Sequence, residues 1–414
     1  MTKETEHKLI TFLLSIIPIS IIIGQAVSLF NIVIISTIII TKIILTKSYN
    51  FINKQSIILL AILYIYLLLN TFISIDSGFS FLRNFGFIRF ILLFIAINYF
   101  FFNFEHKNIF LKVWSLVIII VLIDSFIEYR FGQNILGYGQ DIYSDRIVSF
   151  FKDEPVVAGF LNGFFFLILG YFSNFKKIKN NNLFLICMAS SLLFLTCVML
   201  TGERSNTIKA IIGLSIFFSL NNKFTIKYRL ITFLSLIIVT ATVISNSNYL
   251  KYRYLENIVN PILNVEKRDK FLKENIYIKH YKSGYEVFKN YPILGVGNKN
   301  YRIETRLNHL KKVNYIADTH PHQIYFELLS EHGLVGTIII LSIIFFLVFK
   351  NLRSCLVSQN SLQLGAFSYL IINFLPILPS GSFFSDLNMT LFFINFSIYF
   401  ASGPSNIFIK NINS

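Results

Sequence analysis

Apolar residues run along this chain in long, nearly unbroken blocks rather than in the alternation of strands or the one-sided spacing of amphipathic helices. A block of about 20 apolar residues spans the hydrocarbon core of a bilayer. Such blocks fall near 9–24, 26–45, 56–74, 86–103, 110–127, 156–172, 183–200, 206–220, 230–246, 323–349, 362–378 and 387–402. The pattern therefore predicts an all-α, polytopic transmembrane bundle of about twelve spans, one transmembrane domain over 1–414. The first two blocks are the least clearly separated, with only Gly24 and Gln25 between them.

Two polar stretches are long, 128–155 and 247–321. The second exceeds a plain connector, and loops of that size carry structure or function. Within it, Glu266–Asn290 places Phe271, Ile278, Tyr281, Tyr285 and Phe288 at helical intervals among Lys and Arg. That spacing predicts an amphipathic helix, lying on the membrane surface or packed on the loop's own core.

Charge orients the bundle. With the N-terminus inside, Lys3 and Lys8, then Lys42, Lys47 and Lys54, Lys107 and Lys112, Lys176, Lys177 and Lys179, Lys223, Lys227 and Arg229, Lys350 and Arg353, and Lys410 all fall in inner segments. The short outer loops carry little beyond Arg83 and Arg204. Lys and Arg mark cytoplasmic loops, so both termini are expected to be cytoplasmic and both long loops external.

Composition agrees: 54% of residues are hydrophobic and 14% charged, against about 25% charged in soluble domains. The formal charge of +16 is read as positive-inside loops facing anionic lipid, so membrane lipids and not nucleic acid are the expected partners. The first block lacks a small-residue cleavage site, so no removable signal peptide is expected. Cys187, Cys197 and Cys355 sit in or beside apolar segments and read as free thiols. No nucleotide-binding Gly motif and no metal-ligand spacing occurs, so neither cofactor nor metal is expected. The absence of an inverted repeat, with Asp124 the clearest ionisable residue inside a predicted span, speaks against a transporter.

Four polar constellations stand out. In Asp318-Thr319-His320-Pro321-His322-Gln323, Asp318 or Thr319 suits a helix cap and Pro321 the first turn. His322 would then sit at the N-terminal end of a membrane-entering helix, where the dipole disfavours imidazolium and leaves the neutral form a general base requires. The alternative is that His320 and His322 merely cap the span. Gly333 and Gly336 further along would allow close helix contact. Thr201-Gly202-Glu203-Arg204-Ser205-Asn206 puts a guanidinium at a helix start, suited to phosphate, to anchoring, or to neutralisation by Glu203. Tyr291-Pro292-Ile293-Leu294-Gly295-Val296-Gly297 reads as a tight turn. Finally, 145–155 offers Arg146, Lys152 and the carboxylates Asp153 and Glu154, the last two as caps for the following span. By the loop assignment all these groups are external. A basic outer cleft with a histidine suits a phosphorylated, lipid-linked substrate.

These residues resemble the O-antigen ligase and polymerase superfamily of bacterial inner membranes. The family's His motif is matched by His322-Gln323 through Glu331, Gly333 and Gly336, its Gly-x-Arg-Ser by Gly202–Ser205, its Pro-x-x-Gly-x-Gly turn by Pro292, Gly295 and Gly297, and an Arg…Phe-Phe stretch by Arg146 to Glu154. The resemblance covers 140–400. It implies a metal-independent, inverting glycosyltransferase that moves a glycan from undecaprenyl pyrophosphate on the periplasmic face. His322 would be the base, Arg204 would hold the pyrophosphate, and Arg146, Gln323 and Glu331 would line the substrate site. A further family arginine is absent: its position falls near Tyr277, which leaves nearby lysines such as Lys279, or Arg302 or Arg306, as candidates for the second phosphate contact. The expected activity is ligation of the glycan to the lipid A-core of lipopolysaccharide. Polymerisation of repeat units is the alternative, and a lipid-linked-sugar flippase the more distant one.

Overall fold

The computed structural model describes residues 3–47, 54–103, 108–139, 146–152, 154–175, 179–312, 314–358 and 360–403. Lys107, Asp145, Asp153, Lys176, Lys177 and Lys410 lie outside the described residues.

The described chain is a helical bundle, with one isolated bridge between Gln133 and Gly139 as its only extended pairing among the described residues. Helices occupy every apolar block predicted to cross the membrane. Among the described residues, six helices are long and apolar enough to cross: Gln25–Thr46, Ser77–Asn103, Asn108–Phe131, Asn180–Leu200, Ile226–Ser245 and Ile324–Val357. A seventh arises if Glu4–Ser15 and Ile17–Ile23, bent by 45°, form one broken span. Shorter apolar helices occupy other blocks, including Val157–Ser173 and Ser361–Ile372. The block at 362–378 overran its helix, which ends at Ile372 before an irregular segment that reaches Ser385.

Close packing without a hydrophobic driving force needs small residues at helix contacts. Helices Val157–Ser173 and Ser361–Ile372 meet this way. A Cβ on Gly170 would stand 2.3 Å from the Ser361 carbonyl oxygen, and one on Gly365 would stand 2.0 Å from the Phe166 oxygen. Helix Asn108–Phe131 anchors the first long loop. Asp124 accepts from Ser149 Oγ (2.5 Å) and the Ile135 backbone N–H (3.0 Å), and Glu128 accepts from the Val148 and Ser149 backbone N–H groups. Asp124 is thus fixed to a loop rather than poised along a path across the membrane.

The large loop differs from the single amphipathic helix expected, and of the two placements left open it takes the one on the loop's own core. Asn275 breaks it, capping the tyrosine-rich Ile276–Asn290 after Val265–Glu274. The face that Ile276–Asn290 buries is not the apolar one expected but His280, Ser283, Gly284 and Val287. Small Ser283 and Gly284 allow this, because a Cβ on Gly284 would lie 2.8 Å from Pro321 Cβ. Tyr281 stacks on Phe326 at 5.4 Å, Ser283 Oγ bonds the Tyr301 hydroxyl at 2.7 Å, and the Ile316 N–H donates to Ser283 Oγ at 3.0 Å. The helix therefore packs on the loop's own core and on the helix that follows His322.

Candidate functional site

The helix Ile324–Lys350 starts later than the sequence suggested. Gln323, not Asp318 or Thr319, is its cap: the buried Gln323 Oε1 accepts from the Tyr325 and Phe326 N–H groups at 2.8 and 3.0 Å. His322 consequently stands in the turn ahead of the helix, with φ 55. A β-substituted residue in left-handed backbone costs about 1–3 kcal/mol and persists only where its surroundings enforce it. The His322 carbonyl accepts from the Ser380 N–H at 2.9 Å, and Glu327 accepts from Ser382 Oγ and the Phe383 N–H. The irregular segment after Ile372 thus clamps the histidine turn.

Four side chains surround the His322 ring. Its Nε2 lies 3.3 Å from Asp318 Oδ2, and His280 Nε2 lies 3.5 Å from the same oxygen. The rings of His320 and His280 sit 4.1 and 4.6 Å from that of His322, and Tyr277 meets it edge-on at 6.1 Å. Burial, added to by His322 and opposed by Asp318, pulls the His280 imidazolium below its ordinary value. His320 is pulled further, to about 4, by burial and then by His322. Burial would raise the Asp318 carboxyl, yet the Thr319 N–H and the two neighbouring histidines hold it below the usual carboxylate range. The ligand atoms of His280, Asp318 and His322 lie within 4.8 Å of one another, a donor set that a divalent cation fits. Sequence spacing gave no sign of it, because His280 lies on a different helix.

The glycine turn and the broken helix form one unit. Gly333 interrupts Ile324–Lys350 with φ 62. The helix groups freed there bond the turn: Val296 N–H to Ser330 O (3.0 Å), Gly297 N–H to Glu331 O (2.9 Å), Leu334 N–H to Pro292 O (2.8 Å) and Val335 N–H to Ile293 O (3.1 Å). A Cβ on Gly295 would stand 2.4 Å from the Glu331 carbonyl carbon, and one on Gly333 would stand 2.4 Å from that of Ile293. Glu331 is turned to this junction, accepting from the Lys299 and Tyr301 N–H groups at 2.8 and 3.2 Å.

Arg204 begins the helix Arg204–Leu220 and is not neutralised by Glu203. Glu203 instead caps the neighbouring helix through the Ala158 N–H (2.8 Å) and bonds Asn206 (2.7 Å), the capping role expected of Glu154. The partner of Arg204 is Arg253, in the π-helical turn Lys251–Val259. Arg204 Nη1 donates to the Arg253 carbonyl at 3.2 Å, and Arg253 Nη2 donates to the Gly202 carbonyl at 2.9 Å. Among the described residues neither guanidinium has a carboxylate within 4.0 Å, and Arg253 Nε is buried without an acceptor. Arg146 and Tyr277 lie within electrostatic reach of Arg204. Tyr277 thus meets the His322 ring edge-on and also lies within the electrostatic reach of Arg204.

The other named candidates lie elsewhere. Lys279 and Arg306 are exposed, Lys152 is exposed in a turn at φ 58, and Arg302 belongs to Tyr301–Asn308 on the His320 side of the histidine cluster. Arg253, His280 and the partnership of Asp318 with His322 were missed. Arg253 and His280 meet their partners across long stretches of sequence, whereas Asp318 is four residues from His322 and was read as a helix cap instead.

No curated protein matches the chain. A family model described as O-antigen ligase matches residues 189–341. That stretch holds Arg204, Arg253, the glycine turn, the histidine cluster and the break at Gly333. Over these residues the chain is similar to the O-antigen ligase family.

Proposed function

We propose that the protein is an O-antigen ligase of the bacterial inner membrane, with both termini cytoplasmic and the site on the periplasmic face. It transfers a glycan from undecaprenyl pyrophosphate to the lipid A-core without a metal and with inversion. The observation that carries this reading is that Tyr277 meets the ring of the His322–Asp318 pair edge-on and lies within the electrostatic reach of Arg204, which pairs with Arg253 and has no carboxylate within 4.0 Å among the described residues. A base and an anion site are what transfer from a pyrophosphate carrier requires.

The chemistry follows from which atoms are engaged. With Nε2–H donating to Asp318, His322 keeps its Nδ1 lone pair for a proton. The acceptor hydroxyl oxygen attacks the anomeric carbon, its proton passes to Nδ1, and the bond to the pyrophosphate oxygen breaks. The charge left on the pyrophosphate is met by Arg204 and Arg253, whose planar forks suit phosphate oxygens. Arg253 thereby takes the role for which the sequence offered Lys279, Arg302 or Arg306. Gln323 and Glu331 support the turn rather than touch substrate.

Polymerisation of repeat units uses the same chemistry on a different acceptor and is the alternative. Lipopolysaccharide from a strain lacking the protein separates the two. Bare core with accumulated lipid-linked polymer supports the ligase; core carrying a single repeat unit supports the polymerase.

A further inference from the structure

A second group of cations lies on the other arm of the histidine cluster. Arg83 projects from Ser77–Gly86, Lys299 from the loop after the glycine turn, and Arg302 from Tyr301–Asn308. The three segments are bolted together by buried amides. Asn298 Nδ2 donates to Asn84 Oδ1 at 2.6 Å, Ser80 Oγ to the Asn298 carbonyl at 2.7 Å, and Asn300 Nδ2 to Ser80 Oγ at 2.8 Å. The Asp76 N–H also donates to Asn300 Oδ1 at 2.7 Å. A Cβ on Gly297 would stand 2.0 Å from Ser74 Cβ, so the backbones are pressed as close as glycine permits.

This rigid frame holds three like charges near one another. Burial and then the fields of Arg83 and Arg302 hold the Lys299 ammonium below its ordinary value. Nearby carboxylates do not answer them by ion pairing. Glu331 spends its oxygens on the Lys299 and Tyr301 backbone N–H groups, Glu327 on Ser382 and Phe383, and Asp386 is paired with Arg89. Arg83 Nη1 and Arg302 Nε are buried without an acceptor. A fixed, half-buried set of cations with no carboxylate within 4.0 Å among the described residues is built for an anion.

The group is distinct from the Arg204–Arg253 pair. Arg204 lies within the electrostatic reach of Tyr277, which meets the His322 ring edge-on, while Arg302 acts on His320 and Asp318. A group-transfer site needs two substrates meeting at the base, and the first anion site is taken by the leaving pyrophosphate. We propose that Arg83, Lys299 and Arg302 form a second anion site that binds a phosphate group of the acceptor and brings its hydroxyl to His322. This rests on the reading of His322 as the base, but binding can be measured without turnover.

The test is equilibrium binding to the purified full-length protein in detergent. The probes are phosphorylated lipid A-core, the same lipid after phosphatase treatment, undecaprenyl pyrophosphate, and phosphatidylglycerol as competitor. Arg302→Gln and Lys299→Gln should each weaken phosphorylated lipid A-core by about tenfold or more while leaving undecaprenyl pyrophosphate within about twofold. Arg204→Gln should do the reverse, and phosphatase treatment should weaken binding to the wild type as Arg302→Gln does. Retained undecaprenyl pyrophosphate binding certifies that the variants fold. Equal loss of both probes in Arg302→Gln, no loss of either, or displacement by phosphatidylglycerol would overturn the second site. Absence of transfer with binding intact would instead count against His322.

Discussion

Nε2 of His322 lies 3.3 Å from Oδ2 of Asp318, inside a turn that precedes the membrane helix instead of beginning it. The contact selects the ring nitrogen left free for a proton. Asp318→Asn should therefore lower kcat roughly 10- to 1000-fold with little change in donor KM, since orientation and imidazolium stabilisation are lost and donor binding is not. Steady-state transfer assays check this. Undiminished kcat would remove Asp318 from the mechanism.

Arg204 donates to the Arg253 carbonyl and Arg253 to the Gly202 carbonyl, so the two should act as one unit. Lys at either position keeps the charge but loses the fork. Each of Arg204→Lys and Arg253→Lys should cost about 1.5–3 kcal/mol in kcat/KM for the donor, and the double variant should cost less than the sum. Strict additivity would mean that the two do not share a phosphate.

The His280–Asp318–His322 donor set carries its own consequence. Micromolar Zn2+ should inhibit transfer by binding His322 Nε2, which leaves the neutral ring's proton on Nδ1 and so removes the base, and a chelator should restore it. Chelator alone should leave the rate unchanged. Loss of activity on chelation would make the cluster a metal centre and His322 a ligand.

Gly333 is where the helix breaks and the glycine turn enters. Ala there meets both left-handed backbone and the Ile293 carbonyl. Gly333→Ala should destabilise the fold by roughly 2–4 kcal/mol, seen as a lowered Tm in detergent. An unchanged Tm would mean that the turn and helix are not locked together.

His320 gives a pH signature. Its folded-state value, about 4, lies below the ordinary value of 6.5. Between these the unfolded chain binds more protons, so the stabilising contribution is present above pH 6.5 and is lost as pH falls towards 4. Tm should drop from pH 7 to pH 5, and His320→Gln should flatten that slope. An equal slope in the variant would assign the effect elsewhere.

The bundle was legible because its helices are written as apolar runs, which need no tertiary information. The end of the block at 362–378 was not, because the helix Ser361–Ile372 is short and its block continued into an irregular clamp. The face of Ile276–Asn290 was misread because its contacts rest on Ser283 and Gly284, which carry no hydrophobic signal. His322 and Arg204 stood out through their local motifs. Arg253 and His280 reach them only by folding, and the π-helical turn that presents Arg253 has no clear sequence mark.

The most direct measurement is transfer by the purified protein reconstituted with a labelled undecaprenyl-pyrophosphate-linked glycan and lipid A-core, with and without His322→Ala. The account predicts labelled lipid A-core from the wild type and none above background from His322→Ala, with equal incorporation of both proteins into the membrane. Wild-type transfer by His322→Ala would contradict it.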